Sequence, residues 1–259
     1  MPKFAANIGF MFQEFELPQR FEEAAKAGFK AVEMAFPYDY EPQMLKDKLD
    51  KNGLEWALFN CPPGDWESGE RGTAALPSHT NEFRSSIELA LGYAEVLECR
   101  RLHVMAGVRD KDADAELSRR TFVQNLRWAA KKAEPAGRTL LIEPINQVDM
   151  PGYFVSTQEH GAALIAEIGA DNVQLQFDFY HCQMTQGKLA ATFEKLFGSI
   201  GHVQIAGVPG RHEPDVGEIN YPFLFDLMDR LGYSGFVGCE YAPLQSTADG
   251  LGWFGQFQG

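Results

Sequence analysis

In the second half of the chain, four short apolar segments each carry one side chain that ends in a carboxyl or amide oxygen. These side chains belong to Glu143, Asp178, Gln204 and Glu240. Three carboxylates in one pocket would repel one another unless they were protonated or neutralised by a cation. An all-oxygen set of ligands suits Mg²⁺ or Mn²⁺ better than Zn²⁺, which favours His and Cys. If the fold brings the four segments together, the sequence predicts a site for Mg²⁺ or Mn²⁺.

Taken one at a time, each acid has an ordinary explanation. A single Asp or Glu at the end of a strand is typically the N-cap of the next helix or a solvated residue at the rim. Here, four successive apolar segments each carry one oxygen-bearing residue, and this regularity favours a shared site instead.

The segments that carry these residues belong to a repeating pattern of an amphipathic helix, a glycine and a short apolar run. Successive glycines of this pattern lie 32, 32 and 31 residues apart, at Gly137, Gly169, Gly201 and Gly232. A glycine just past a helix supplies the left-handed cap that turns the chain into the next strand. Each interval fits one strand and one helix, the repeating unit of a parallel sheet.

The first half of the chain contains the remaining strands. Apolar runs follow Gly28 and Gly53 in the same way, and residues 4–8 and 100–105 supply two more. Strands that alternate with about eight helices in this length predict a single (β/α)₈ TIM barrel, formed as one domain by residues 1–259. An open doubly wound sheet is the alternative, but no G-x-G-x-x-G follows the first strand. In such a barrel the C-terminal strand ends form the active site, so the four oxygen-bearing residues share one rim.

The composition narrows the class of partner. The chain of 259 residues has 23 Lys and Arg against 36 Asp and Glu, a net charge of −13 with His neutral. This charge disfavours nucleic acid and anionic membranes, whose binding needs clustered Lys and Arg. The four cysteines form no C-x-x-C pair, and no signal peptide or membrane-length apolar run is found. We expect a cytoplasmic protein with a small-molecule partner, no nucleic-acid or membrane partner, and a homo-oligomer as an open possibility.

At its rim residues the sequence resembles the hydroxypyruvate isomerase group of the xylose-isomerase-like TIM barrels, which is close to the 2-oxo-tetronate isomerases. The likeness covers essentially the whole chain, with motifs at residues 4–8, 36–40, 64–72, 142–146, 201–205, 217–221 and 238–241. The resemblance implies that Glu143, Asp178, Gln204 and Glu240 are metal ligands. It also implies that Glu143 and Glu240 donate and accept the proton. Sugar epimerases of the wider superfamily typically have His where Gln204 stands, which leaves open whether catalysis strictly needs added metal.

The resemblance implies an isomerase that interconverts hydroxypyruvate and 2-hydroxy-3-oxopropanoate (tartronate semialdehyde), a small hydroxy-oxo acid. A proton leaves the carbon beside a carbonyl, a metal-stabilised enediolate forms, and a proton returns to the neighbouring carbon. The alternatives are a 2-oxo-tetronate isomerase, a ketose 3-epimerase, an apurinic-site endonuclease, and a barrel that binds a metabolite without catalysis. The endonuclease would need a His-rich, multi-zinc cluster and a basic surface, so the net charge and the six scattered His disfavour it. The presence of all four rim residues disfavours the non-catalytic barrel.

Further residues are candidates for the pocket. Arg211 lies in the loop after the seventh strand, where a guanidinium can hold the carboxylate of a substrate with two hydrogen bonds. His181, at the start of the helix after the sixth strand, can donate to a substrate oxygen. Glu70 lies in a Pro- and Gly-rich stretch, residues 61–72, that predicts a lid and a substrate contact. His103, at the end of the fourth strand, is expected to fill space in the pocket wall.

Overall fold

Parallel strands close into a barrel in the computed structural model, which describes residues 1–109 and 112–257. Each strand pairs with its neighbour in the chain, and β8 also pairs with β1. This closure confirms the predicted TIM barrel. The strands are β1 Lys3–Asn7, β2 Ala31–Glu33, β3 Glu55–Asn60, β4 Arg101–His103, β5 Thr139–Ile142, β6 Val173–Asp178, β7 Ile200–Ile205 and β8 Phe236–Cys239.

The helices depart from strict alternation at two places. Two short helices follow β6, and β8 is followed within the described residues by 3₁₀ turns rather than an α-helix. The helices are α1 Leu17–Lys26, α2 Pro42–Asn52, α3 Thr80–Val96, α4 Ala115–Ala133, α5 Gln158–Ile168, α6 Phe179–Thr185, α7 Leu189–Leu196 and α8 Tyr221–Leu231. The 3₁₀ turns are Pro77–His79, Glu134–Ala136, Phe197–Ser199, Asp249–Gly252 and Phe254–Phe257.

The glycine pattern has its predicted meaning at most positions. Gly53, Gly169 and Gly232 end α2, α5 and α8 in the left-handed conformation. Gly201 differs, because it lies inside β7 rather than at a helix end. A Cβ there would come 2.8 Å from Cδ2 of Leu141 and 2.9 Å from Cβ of Gln174, so close packing between strands favours glycine at this position. The regular spacing therefore combines helix caps with one position inside a strand.

Aromatic side chains after β8 extend the core. The ring of Phe4, on β1, lies 5.2 Å from the ring of Trp253 and 5.6 Å from that of Phe254 between centroids. Both contacts are edge-to-face, a favoured aromatic arrangement. The segment after β8 thus packs against the strand that closes the barrel. Within the described ranges, no helix combines the length and the apolar character needed to cross a bilayer.

The loop after β3 is fastened to the end of β4. Gly72 and Ala106 form an isolated antiparallel bridge, and the Ala75 N–H donates to the Ala106 carbonyl at 2.8 Å. Gly72 has φ of 108°, and a Cβ there would lie 2.3 Å from the carbonyl oxygen of Met105. Only glycine fits this position without displacing the backbone of the neighbouring loop.

We expect Gly72→Ala to lower the free energy of unfolding by about 2 kcal/mol or more, because it adds a backbone clash to a disfavoured φ. Gly53→Ala is the matched control. Its φ is 62°, but its Cβ would meet no atom within 4 Å, so only the left-handed cost of about 1 kcal/mol applies. Equilibrium urea unfolding measures both losses, and equal losses would show that the Met105 backbone yields without cost.

Candidate active site

Three carboxyl groups and one imidazole converge at the C-terminal end of the barrel. Glu143 directly follows β5, Asp178 ends β6, Glu240 directly follows β8, and His181 lies in the first turn of α6. One ligand atom from each of the four residues lies within 4.8 Å of the others. Glu143, Asp178 and His181 are buried, and Glu240 is partly buried. The structure thus brings together three of the four predicted ligands and adds His181 to the group.

The two carboxylate oxygens of Asp178 have different surroundings. Its Oδ1 accepts from the backbone N–H groups of Tyr180 at 2.6 Å and His181 at 3.3 Å, which caps the N-terminus of α6. Its Oδ2 is buried and has no hydrogen-bond partner among the residues that the structure describes. Among the described residues, Asp178 therefore caps α6 with one oxygen and leaves the other free in the cluster.

Burial raises the pKa of all three carboxyl groups, because a low-dielectric interior disfavours charge. The pKa of Glu143 lies well above its ordinary value, first through burial and then through the charges of Glu240 and Asp178. Burial raises the pKa of Asp178 to about 6 and that of Glu240 to about 7, against the opposing charge of Arg211. Each of the three carboxyl groups therefore holds a proton more readily than an exposed carboxyl group does.

Arg211 is the cation that faces this cluster. Its guanidinium forms an ion pair with Glu240 and lies 5.0 Å from the ring centroids of both Phe10 and Tyr180. Its backbone is left-handed, with φ of 55°, and its N–H donates to the carbonyl of Gly207 at 2.8 Å. The side-chain Nε is buried without a hydrogen-bond partner in the described part of the chain. Nη2 of Arg211 donates to Glu240, so the Nε–H donor is left over beside the ion pair.

His181 lies between the cluster and the loop after β5. Its Nδ1 is 2.7 Å from the side-chain nitrogen of Asn146. Its Nε2 is 3.8 Å from Oε1 of Glu143 and 3.8 Å from Oδ2 of Asp178. Burial holds the pKa of His181 well below its ordinary value, so the ring is neutral.

His103 approaches Glu143 from the other side. Its Nδ1 lies 3.5 Å from Oε2 of Glu143, and burial lowers its pKa to about 3. Neither ring nitrogen has a hydrogen-bond partner among residues 1–109 and 112–257. The predicted role of His103, which is to fill space in the pocket wall, stays a prediction.

Gln204 is buried on β7 with both ends of its amide engaged. Its Oε1 accepts from the side chain of Gln176 at 2.6 Å, and its Nε2 donates to Oε1 of Glu33 at 2.8 Å. The amide is thus bonded to other polar groups of the barrel interior. Its role as a metal ligand stays a prediction.

Glu70 makes its described contacts inside the loop after β3. Its Oε2 accepts from the backbone N–H of Asp65 at 2.6 Å, and its Oε1 lies 3.1 Å from Nε2 of His79. These contacts bind the loop to the start of α3. The predicted contact between Glu70 and substrate stays a prediction as well.

Glu33 and Asn7 are candidate residues that the sequence analysis missed. Glu33 accepts from Asn7 at 3.2 Å and from Gln204, and its Oε2 lies 2.8 Å from Nε2 of His202. Asn7 also donates to Oε1 of Glu240 at 3.1 Å. Asn7 therefore joins this buried polar group to the carboxyl cluster. The one signal in the sequence was an acid inside the apolar β2 segment.

The cluster fits a divalent cation by the chemistry of its donors. Oε1 of Glu143 is buried, as is Oδ2 of Asp178, and each is unbonded within the described residues. Free carboxylate oxygens are the ligands that hard cations such as Mg²⁺ and Mn²⁺ prefer. The group can therefore hold a metal ion, with Glu143, Asp178 and Glu240 as its oxygen ligands.

Comparison with known proteins gives consistent matches. A family model described as a xylose isomerase-like TIM barrel matches residues 21–257. The chain is 52% identical to 2-oxo-tetronate isomerase of Cupriavidus necator and 41% identical to hydroxypyruvate isomerase of Escherichia coli, in both cases over 100% of each protein. A solved structure described as an AP endonuclease of family 2 from Brucella melitensis is 46% identical, has a TM-score of 0.98 and covers 100% of both chains.

The raised pKa of Glu240 predicts how stability depends on pH without metal. In EDTA we expect the free energy of unfolding to fall as the pH rises from about 4.5, the ordinary value of a Glu, to about 7. The folded protein keeps a proton that the unfolded chain has released, so unfolding is favoured by up to about 1.4 kcal/mol per pH unit for each such proton. Urea unfolding across this range measures the slope.

Glu240→Gln removes the titrating group and is expected to flatten that slope. In the wild type, saturating Mg²⁺ is expected to oppose the fall in the free energy of unfolding with rising pH. A cation binds the ionised carboxylates of the folded state only. A wild-type stability that increased from pH 4.5 to 7 in EDTA, relative to the variant, would contradict the direction given for this pKa.

Proposed function

Because the chain belongs to the xylose isomerase-like TIM barrel family and is an isomerase like its named relatives, we propose that it moves a carbonyl group between adjacent carbons of a small hydroxy-oxo acid. The observation that carries this proposal is the cluster of three carboxyl groups beside Arg211. Such a reaction needs a group that removes a proton, a group that returns one, and a cation for an anionic substrate.

Glu143 and Glu240 are the proposed proton acceptor and donor. They follow β5 and β8, so they approach the pocket from different sides of the barrel. Proton transfer is most effective when the pKa of the group lies near the working pH. Burial raises the pKa of Glu240 to about 7 and that of Glu143 well above its ordinary value. The raised pKa of each glutamate in the metal-free site supports its assignment to proton transfer.

Arg211 is the proposed holder of the substrate carboxylate. Its position against the rings of Phe10 and Tyr180 limits how far the guanidinium can move. Its ion pair with Glu240 keeps its charge at the cluster. Arginine can bind a carboxylate with two parallel hydrogen bonds, which would orient the rest of the substrate toward the two glutamates.

Glu143, Asp178 and Glu240 would hold a divalent cation, with Gln204 as the fourth proposed ligand. When bound, Mg²⁺ or Mn²⁺ would polarise the substrate carbonyl and stabilise the negative charge of the enediolate. The buried, unbonded oxygens of Glu143 and Asp178 support this part of the proposal. They are bonded to nothing else in the described residues and so are free to act as ligands.

We propose 2-oxo-tetronate as the preferred substrate and hydroxypyruvate as the second candidate. From the sequence alone, hydroxypyruvate is expected first and 2-oxo-tetronate second. The order is changed by the identities, 52% to a 2-oxo-tetronate isomerase against 41% to a hydroxypyruvate isomerase. Both compounds pair an oxo group with a neighbouring carbon that carries a hydroxyl group, so the same proton transfer serves either one.

A nuclease function is not proposed, although one similar structure is described as an AP endonuclease. Binding of DNA phosphates needs clustered basic residues, and the chain has a net charge of −13. The cluster found in the described residues contains three carboxyl groups and a single His. Such a set differs from the His-rich, multi-zinc centre that the sequence analysis required of a nuclease.

Glu143→Gln and Glu240→Gln test the roles of the two glutamates. We expect each variant to lower kcat at least about 100-fold, because each removes one proton-transfer group. Circular dichroism and urea unfolding check that the fold is retained. Glu159→Gln, on the outer surface of α5, is the control and should keep wild-type turnover. Near-normal activity in either pocket variant would remove that residue from the mechanism.

Turnover of 2-oxo-tetronate and of hydroxypyruvate, followed by NMR in parallel reactions, tests the substrate. We expect a higher kcat/KM with 2-oxo-tetronate, loss of activity after chelation, and recovery with Mg²⁺ or Mn²⁺. A higher kcat/KM with hydroxypyruvate would reverse the order of the two substrates. Failure to isomerise either compound with any metal would overturn the proposed function.

A further inference from the structure

The orientation of the Asn146 side chain is determined by its neighbours. Its Oδ1 lies 3.0 Å from the backbone nitrogen of Val148 and 2.8 Å from that of Asp149. Backbone N–H groups only donate, so the atom that meets both of them must be the amide oxygen. The other end of the amide, Nδ2, is therefore the donor. It donates to Oδ2 of Asp149 at 2.9 Å, which agrees with this orientation.

This donor determines where His181 carries its proton. Nδ2 of Asn146 lies 2.7 Å from Nδ1 of His181, and the backbone N–H of Asn146 approaches the same atom at 3.5 Å. Both groups donate, so Nδ1 must accept with its lone pair. A proton on Nδ1 would face two donors, which rules out the Nδ1–H tautomer and the imidazolium in this geometry. The neutral ring thus carries its proton on Nε2.

The Nε2–H group faces the carboxyl cluster. Nε2 lies 3.8 Å from Oε1 of Glu143 and 3.8 Å from Oδ2 of Asp178, the two buried oxygens that no described residue bonds. His181 is near enough to count among the groups that could hold a metal ion. A protonated Nε2 has no lone pair to offer a cation, however. At this position the ring can give a hydrogen bond but cannot act as a ligand.

We propose that Asn146 is a positioning residue, which keeps His181 in the Nε2–H tautomer so that the ring donates to a substrate oxygen instead of binding the divalent cation. The donation to substrate rests on the proposed function, whereas the tautomer does not. A fixed donor would stabilise negative charge as it develops on that oxygen during proton transfer.

A second contact of Asp149 holds the Asn146 amide in this orientation. Oδ2 of Asp149 accepts from Asn146 and also from the hydroxyl of Tyr180 at 2.9 Å. The ring of Tyr180 in turn lies beneath the guanidinium of Arg211. The loop after β5, the first turn of α6 and the loop after β7 are thus joined by one chain of contacts. Any reversal of the Asn146 amide would break its bonds to two backbone N–H groups and to Asp149.

Nitrogen NMR of protein labelled with ¹⁵N-histidine tests the tautomer directly. Long-range ¹H–¹⁵N correlation spectra distinguish the protonated from the unprotonated ring nitrogen, and His181→Gln assigns the signals by their loss. We expect the Nε2–H pattern for His181 in EDTA and the same pattern with saturating Mg²⁺. An Nδ1–H pattern, or loss of the Nε2 proton when Mg²⁺ binds, would overturn the proposal.

The double variant Asn146→Asp/Asp149→Asn exchanges donor and acceptor without changing the net charge. The carboxylate introduced at position 146 can still accept from the two backbone N–H groups and from the amide introduced at position 149, but it now accepts from Nδ1–H of His181. We expect the His181 pattern to change to the Nδ1–H tautomer and kcat to fall about 100-fold, as when a donor to developing charge is lost. By calorimetry, Mg²⁺ affinity should not weaken, because His181 is not a ligand in the wild type.

Gln43→Glu/Asp47→Asn is the matched control, because it exchanges a donor and an acceptor on the exposed surface of α2 without changing the net charge. It should leave the His181 signals and kcat unchanged. A double variant that changed the tautomer but kept wild-type turnover would overturn the positioning role. If the wild type isomerised neither compound but showed the expected tautomer with and without Mg²⁺, the assigned tautomer would stand and the proposed function would fail.

Discussion

Burial of three carboxyl groups within one small space is the constraint on which this site depends. In a low-dielectric interior Glu143, Asp178 and Glu240 oppose one another's ionisation, and each has a raised pKa. The barrel prevents them from separating, because each lies at the end of a strand that is bonded to both its neighbours. The charge of Arg211 and the hydrogen bond from Asn7 reduce the repulsion among the carboxylates, and the free oxygens could also bind a cation.

The fold could be predicted because its signals are local. A glycine that follows a helix and precedes an apolar run marks a helix-to-strand connection, as at Gly53 and Gly169. The ends of the barrel were less predictable. Two short helices after β6 and the 3₁₀ turns after β8 interrupt the alternation. Gly201 lies inside β7, where its neighbours leave little room for a side chain. Packing, which no local pattern encodes, decides these cases.

The site was predictable only where a residue's position along its strand was enough. Glu143, Asp178 and Glu240 stand at strand ends, so the fold alone brings them together. The partners of Glu33 and Asn7 are different, because Asn7 meets Glu240 across 233 positions of the chain. Such pairs follow from barrel closure and register and have no sequence pattern of their own. The pairing of Asn146 with His181 likewise depends on how two loops meet over the barrel.

The fastening of the loop after β3 has a consequence for the energy of binding. Its bridge from Gly72 to Ala106, the stacking of Arg71 on Trp66 and the contacts of Glu70 order the loop through interactions within the chain. The conformational entropy lost in ordering it is therefore borne once, when the chain folds. A molecule that contacted this loop would not have to order it, so more of its contact energy would remain for affinity and orientation.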